Sequence, residues 1–438
     1  MKFFQRTAFG DSSTFFGGPG LHKVLMGLCQ GNGAAPACWL MLSAVLMHCY
    51  EIEGFGSSII SPISQTLIKF MGNMYVDDTN LYTFSPSLSN ATSLHDEMQQ
   101  GLNAWGDLLN STGGAHKPEK CWWYLVDYKF VNGKWEYAPT VDWELSVPLP
   151  DDSEVPIKHR DIFEEQETLG VWSCPGGTEE KQLEKILSKI DEWTQGTKNS
   201  HIPAKYAWMS YRLKLWPAIR YGLNTLSSPF AKLEAILRPY HYKMLPFLGV
   251  NRNIKRGYRT IPRCFGGVGL YSLPVEKAIS SINLFLQHYG VPSTLGNKLK
   301  ASMEYMQLEI GVQGNPLEAD YDLYSPLATP CWVKSFWGYL HRLKFSSLYV
   351  DYTVIPLPRE NDMVMVDMFI SAGYTGESLG SLNRCRIARQ MLFFSDIVTA
   401  NGRNVERSFL EPVQGTINHS RYSFGREEPS TQDWIEWG

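Results

Sequence analysis

The sequence predicts an α+β protein. Antiparallel hairpins and helices fill residues 1–178, and helices continue to the end. Before residue 178, apolar and aromatic runs are broken by tight polar turns, the pattern of strand pairs. Beyond it, apolar residues recur at three- and four-residue steps, the pattern of amphipathic helices. Charge also segregates. Between 198 and 263 thirteen Lys or Arg stand against one acid, Glu234, a local balance of +12. The chain's net charge of −4 then leaves −16 for the remainder. Such segregation is the footprint of a polyanion-binding surface.

At 438 residues the chain is long enough for two or three domains, and 44% apolar content suits buried cores. The expected division is 1–178, a basic helical domain at 179–296 and a helical extension at 297–438. Eight scattered cysteines make no Cys-x-x-Cys pair, so no zinc knuckle is expected. With no signal peptide they read as reduced thiols of an intracellular protein, nuclear or cytoplasmic and not secreted. The most apolar run, 34–47, is too short to span a bilayer, so no membrane partner is expected.

In chain order, short loops come first. A glycine-rich stretch, Gly27-Leu-Cys-Gln-Gly-Asn-Gly-Ala-Ala-Pro36, then enters a run reaching about Tyr50. Pro36 suits a first helical turn. The helix would be apolar nearly all round and hence buried. A glycine loop there lets a ligand approach the backbone, although a plain tight turn would read the same.

The next stretch, 69–84, puts Tyr75-Val-Asp-Asp78 between two strand-like arms, which predicts a β-hairpin. Asp77 and Asp78 near a turn can reach one site. Two adjacent carboxylates repel unless a counter-charge sits between them, and a hard divalent cation supplies one. The competing reading is a solvated Asp-Asp turn.

Residues 91–111 read as a helix with Leu94, Met98, Leu102, Trp105 and Leu109 on one face, stopped by Gly113-Gly114. Lys117-Pro-Glu-Lys120 leads into a strand. Asn132-Gly133 marks a hairpin. The stretch 141–160, rich in Pro and Asp, reads as a surface insertion. Leu169-Gly170 follows, and 179–193 is an amphipathic helix built on Leu183, Ile186, Leu187, Ile190 and Trp193. Aromatics run through the basic stretch: Tyr206, Trp208, Tyr211, Trp216, Tyr221, Tyr240, Tyr242 and Tyr258. Their helical spacing assigns more than half to a core. Its cations suit phosphate anchoring without sequence readout: Lys205, Arg212, Lys214, Arg220, Arg252, Lys255, Arg256 and Arg259. Ile261-Pro-Arg-Cys-Phe-Gly-Gly-Val-Gly-Leu270 is a glycine turn. Helices are expected over 332–348, 362–372 and 382–399.

Gly27-x-x-Gln30-Gly31 with Pro36, followed by Tyr75-Val-Asp-Asp78, resembles two successive palm motifs of reverse transcriptases, RNA-directed DNA polymerases, in order and spacing. The nearest type is the non-LTR, LINE-like retrotransposon enzyme. Lys120, Leu169-Gly170 and 261–270 are similar to later segments of that family, and the resemblance covers about 5–275. It implies a partial palm, an antiparallel sheet with helices, followed by a helical thumb. Asp77 and Asp78 would hold Mg²⁺ or Mn²⁺. Gln30, Gly31 and Tyr75 would contact nucleotide and template. Lys120, or its rival Lys117, would lie near the leaving pyrophosphate. RNA template, DNA primer and deoxynucleoside triphosphates would be the partners.

The family's first palm aspartate lies well upstream of the glutamine-glycine loop. Here Asp11 is the sole acid before Gln30, so a truncated fragment with little or no polymerisation is expected. The rival classes are a non-catalytic nucleic-acid-binding protein using the basic helices, a metal-dependent hydrolase drawing on His95 and Asp96, and a purely structural helical protein.

Overall fold

A computed structural model describes residues 2–3, 6–7, 10–11, 16–17, 35–75, 78–84, 91–131, 134–139, 143–149, 153–345, 348, 350–412 and 428–438. The fold is α+β, mainly helical, with strands confined to small antiparallel sheets. The chain divides into two units that interleave in sequence. One holds 1–57, 70–123 and 142–159, the other 58–69, 124–141 and 160–438.

In the first unit, the helix Ala35–Ile52 carries Pro36 in its first turn, as expected. It is not buried on all sides. Leu46 and Tyr50 are interior, but Leu40, Met41, Val45 and Ile52 are exposed. Against its inner face lies the helix Ala91–Ser111, which supplies Trp105. Tyr50 and Trp105 meet edge to face at 5.7 Å. Gly101 permits the approach: a Cβ there would fall 2.6 Å from the Tyr50 hydroxyl. The helix stops where expected, with Gly113 at φ 80° and the Gly114 amide donating to Leu109 O at 2.9 Å.

The expected surface insertion at 141–160 is instead core. Strands Leu145–Pro148 and Glu154–Arg160 pair antiparallel, and Glu154–Arg160 also borders Trp122–Tyr124 in a three-stranded sheet. Leu145, Val147 and Ile157 are buried. The alternation that turns these residues inward was obscured by neighbouring prolines and acids. The Gln99 amide completes the free edge: it accepts from Ser146 N and donates to Ser146 O, both at 2.9 Å. A side-chain amide thus takes the place of a further strand's peptide group.

In the second unit, Tyr128–Val131 and Lys134–Tyr137 form the hairpin that Asn132-Gly133 predicts, with Val131 opposite Lys134. Residues 132 and 133 themselves lie outside the described residues. Gln166–Thr168 and Val171–Ser173 form another. Its two-residue turn has Leu169 at φ 51° and Gly170 at φ 78°, the positive pair that a primed turn requires. The Tyr221 hydroxyl donates to Leu169 O, and Lys185 Nζ donates to Gly170 O. These contacts hold leucine in a conformation it disfavours.

The amphipathic helix extends over Glu180–Ser200. Its N-terminus receives the buried Glu165 carboxylate, which accepts from Lys181 N at 2.8 Å. Leu183, Ile186, Ile190 and Trp193 enter a core with Tyr211, Leu215, Trp216 and Leu233. The expected division at 296 does not coincide with a gap in packing. Phe285 stacks on Phe336 at 4.8 Å, and the Tyr339 hydroxyl donates to Ser228 O at 2.8 Å. The three helices expected over 332–399 span Trp332–Arg342, Met365–Ser371 and Gly376–Ala388, and a further one, Thr431–Trp437, follows. Gly376–Ala388 ends earlier than periodicity implies. Gln390 turns left-handed at φ 55°, and Phe393 then bridges Val364.

Candidate functional site

The 72–81 hairpin forms as expected. Gly72–Tyr75 pairs antiparallel with Asp78–Leu81, and Tyr75 lies directly opposite Asp78. Strand alternation sorts its faces. Met74 and Leu81 pack on Leu46, Tyr50 and Trp105, while Tyr75 and Asp78 are exposed. Gly72 allows the two strands to meet, since a Cβ there would lie 2.2 Å from Asn80 O. The core thus fixes the hairpin and turns one carboxylate outward. No ion pair engages Asp78 among the described residues. Asp77, Gln30 and Gly31 lie outside the described residues.

Lys120 ends a short 3₁₀ turn, Pro118–Lys120, and is exposed before the strand Trp122–Tyr124. Lys117 pairs with Glu119 at 3.4 Å. Neither hydrogen bond nor ion pair joins Lys120 to Asp78. His95 Nδ1 lies 3.3 Å from the Asp96 carboxylate. Its Nε2 meets Glu144 O at 2.9 Å, docking the helix to the sheet.

No group of three His, Cys, Asp or Glu side chains that could hold a metal occurs among the described residues. An outward carboxylate with no cation of its own is a hard oxygen donor of the kind Mg²⁺ accepts. Asp78 is one donor of that kind, and Asp77, its sequence neighbour, lies outside the described residues.

The basic stretch belongs to the second unit. Twelve of its thirteen cations are exposed, including Lys205, Arg212, Lys214, Arg220, Arg252, Lys255 and Arg256. Only Lys243 among them is ion-paired within the described residues, to Asp191 at 3.4 Å. Arg259 corrects the expectation. It is 3% exposed, and its guanidinium donates to Arg252 O and Ile254 O and covers the Tyr242 ring at 4.6 Å. It supports the loop from inside and presents no charge to a phosphate. Its neighbour His241 is pushed down to about 4 by burial, with Arg259 adding to the effect.

A local irregularity arranges the charges. The helix Ala204–Ser210 widens into a π-helical turn over Tyr211–Leu215, then resumes as Trp216–Arg220. Pro217 cannot continue an ordinary ladder, and the wide turn lies just upstream of it. Tyr211 and Leu215 point inward, leaving Arg212, Leu213 and Lys214 consecutively exposed. Sequence periodicity does not reveal this, because a π turn is out of phase with a 3.6-residue repeat. Of the eight aromatics, Tyr211 and Trp216 are buried, while Tyr206, Tyr221, Tyr242 and Tyr258 are exposed.

No helix among the described residues is long and apolar enough to cross a membrane. The seven described cysteines are free thiols. No protein-family model, curated protein or solved structure matches the chain.

Proposed function

We propose that the chain is a reverse-transcriptase-like retroelement protein. In this reading the first unit is part of a polymerase palm and the basic helices of the second act as a thumb. One observation supports it above the rest: Tyr75 and Asp78, the residues flanking Val76-Asp77, pair across an antiparallel hairpin whose inner face is anchored and whose Asp78 faces solvent.

Asp77 and Asp78 would hold Mg²⁺ or Mn²⁺. Bound there, the metal would lower the pKa of a primer 3′-hydroxyl and stabilise the departing pyrophosphate. Tyr75, exposed opposite Asp78, offers an aromatic face to a nucleotide. Lys120 is an exposed ammonium suited to a leaving phosphate, and Gln30 and Gly31 are the proposed nucleotide and template contacts. The cationic surface provides sequence-independent phosphate contacts.

Two measurements test this. Mn²⁺ binding, read by electron paramagnetic resonance, is expected to fall at least tenfold in Asp77→Asn and Asp78→Asn. Primer extension on an RNA template, where detected, is expected to vanish in both. Mn²⁺ affinity indifferent to both substitutions would remove the metal site and the lineage argument with it.

A second reading is favoured by the exposed, unpaired cations: a non-catalytic nucleic-acid-binding protein using the basic helices. Salt-dependent duplex binding without Mn²⁺ binding at the hairpin would select it.

A further inference from the structure

The 261–270 turn has no part in hairpin chemistry, yet it is closely built. Gly266 and Gly269 adopt φ 79° and 76°, and a Cβ on Gly267 would fall 2.0 Å from Ile261 O. Gly266 N donates to Arg263 O at 3.0 Å, and Gly269 N donates to Ile261 O at 3.0 Å. At the tip of this closed turn Phe265 is 78% exposed, more than any other large apolar side chain in the described chain. No core accounts for it.

Behind the tip, Arg263 folds back. Its Nε donates to Val268 O at 3.1 Å, and its Cζ lies 4.1 Å from the Trp208 ring centroid. The Cζ of Arg212, from the π-helical turn, lies 5.5 Å from the same centroid. Trp208 is itself fixed, donating Nε1–H to Leu248 O at 2.9 Å and meeting Tyr211 edge to face. One indole thus seats two guanidiniums from segments 51 residues apart in sequence. They lie within about 10 Å of each other, one Debye length at 0.1 M salt. No carboxylate pairs with either among the described residues. Two like charges held together without a counter-charge form an anion site, and guanidinium suits phosphate.

We propose that this turn and Arg212 form a binding site for single-stranded nucleic acid. Arg212 and Arg263 take a backbone phosphodiester, and Phe265 stacks on an unpaired base beside it. The proposal rests on the reading of the basic helices as a nucleic-acid surface and adds the class of strand they prefer at this point. Stacking on an exposed ring is indifferent to base identity, so little sequence preference accompanies it.

Fluorescence anisotropy with a labelled single-stranded oligonucleotide and a duplex of equal length tests it, using the full chain. Phe265→Ala is expected to weaken single-strand binding about tenfold and duplex binding less than twofold. Phe265→Trp is expected to restore the single-strand affinity. Joint Arg212→Gln and Arg263→Gln substitution is expected to flatten the single-strand salt slope by about 0.7, for the one phosphate they neutralise together. An unchanged single-strand affinity in Phe265→Ala, or equal losses on both ligands, overturns the site. Wild-type binding to duplex alone overturns it while leaving the proposed function intact. Binding to neither ligand removes the nucleic-acid surface altogether.

Discussion

The 72–81 hairpin and the basic helices face solvent by different means. In the hairpin, one side is locked onto Tyr50 and Trp105 and the other presents Tyr75 and Asp78. Under the proposed function, the work there falls to one or two side chains in fixed places. Across 198–263, twelve cations stand out from several helices and turns. Under the proposed function, the work there is shared by number. The first kind of surface is sensitive to its core and to single substitutions. The second is additive and sensitive to salt.

The largest effect that sharpens this contrast is chemical. Asp78→Asn is expected to reduce any metal-dependent nucleotide incorporation at least about a hundredfold, beyond the roughly 10- to 100-fold of an outer-shell change. A smaller loss, read in a primer-extension assay, would mean the hairpin is as forgiving as the helices. Next comes the core. Trp105→Ala is expected to cost about 3–5 kcal/mol by urea titration, and to weaken Mn²⁺ binding at the hairpin while leaving the second unit's helical signal in place.

The third effect is acid sensitivity. His241 is neutral and half-buried, with its pKa pushed down to about 4 by burial and then by Arg259. The unfolded imidazole takes its proton near pH 6.5. The unfolded state therefore binds more protons between those values. Stability is full above about pH 6.5 and falls as pH drops towards 4, by on the order of 2 kcal/mol. Thermal melts of wild type and His241→Gln across that window are expected to diverge, the variant losing less.

The smallest effect belongs to the additive surface. Lys214→Gln alone is expected to lower the duplex salt slope by about 0.9 and leave folding unchanged. A loss of all binding from that single change would make the helices behave like the hairpin.

Much of the architecture was legible in the sequence because it obeys local rules. The 72–81 hairpin follows from its apolar arms, and the 91–111 helix from its period and its glycine stop. Val131 opposite Lys134 follows from Asn-Gly. What escaped was set by distant partners. Leu145 and Val147 look peripheral until Gln99 and Trp122–Tyr124 close around their sheet. The helix Ala35–Ile52 is apolar nearly all round, and only tertiary contact decides that Leu40 and Met41 stay outside. Arg259 is chemically indistinguishable from Arg256 in sequence, and the loop carbonyls of Arg252 and Ile254 draw it inward. The strand pairing around Asp78 was legible, whereas two arginines sharing Trp208 were not.

The hairpin made by Ser57–Ile60 and Leu67–Phe70 has its turn amides, Ile63 N and Ser64 N, bound to the buried Glu304 carboxylate at 3.0 Å each, across sequence separations of 241 and 240. On a ribosome adding about 5–20 residues per second, those donors wait roughly 12–50 seconds for their acceptor. Two peptide groups made some 240 residues before their acceptor must stay hydrated until its helix emerges, so a nascent chain released before then would carry an unfinished hairpin.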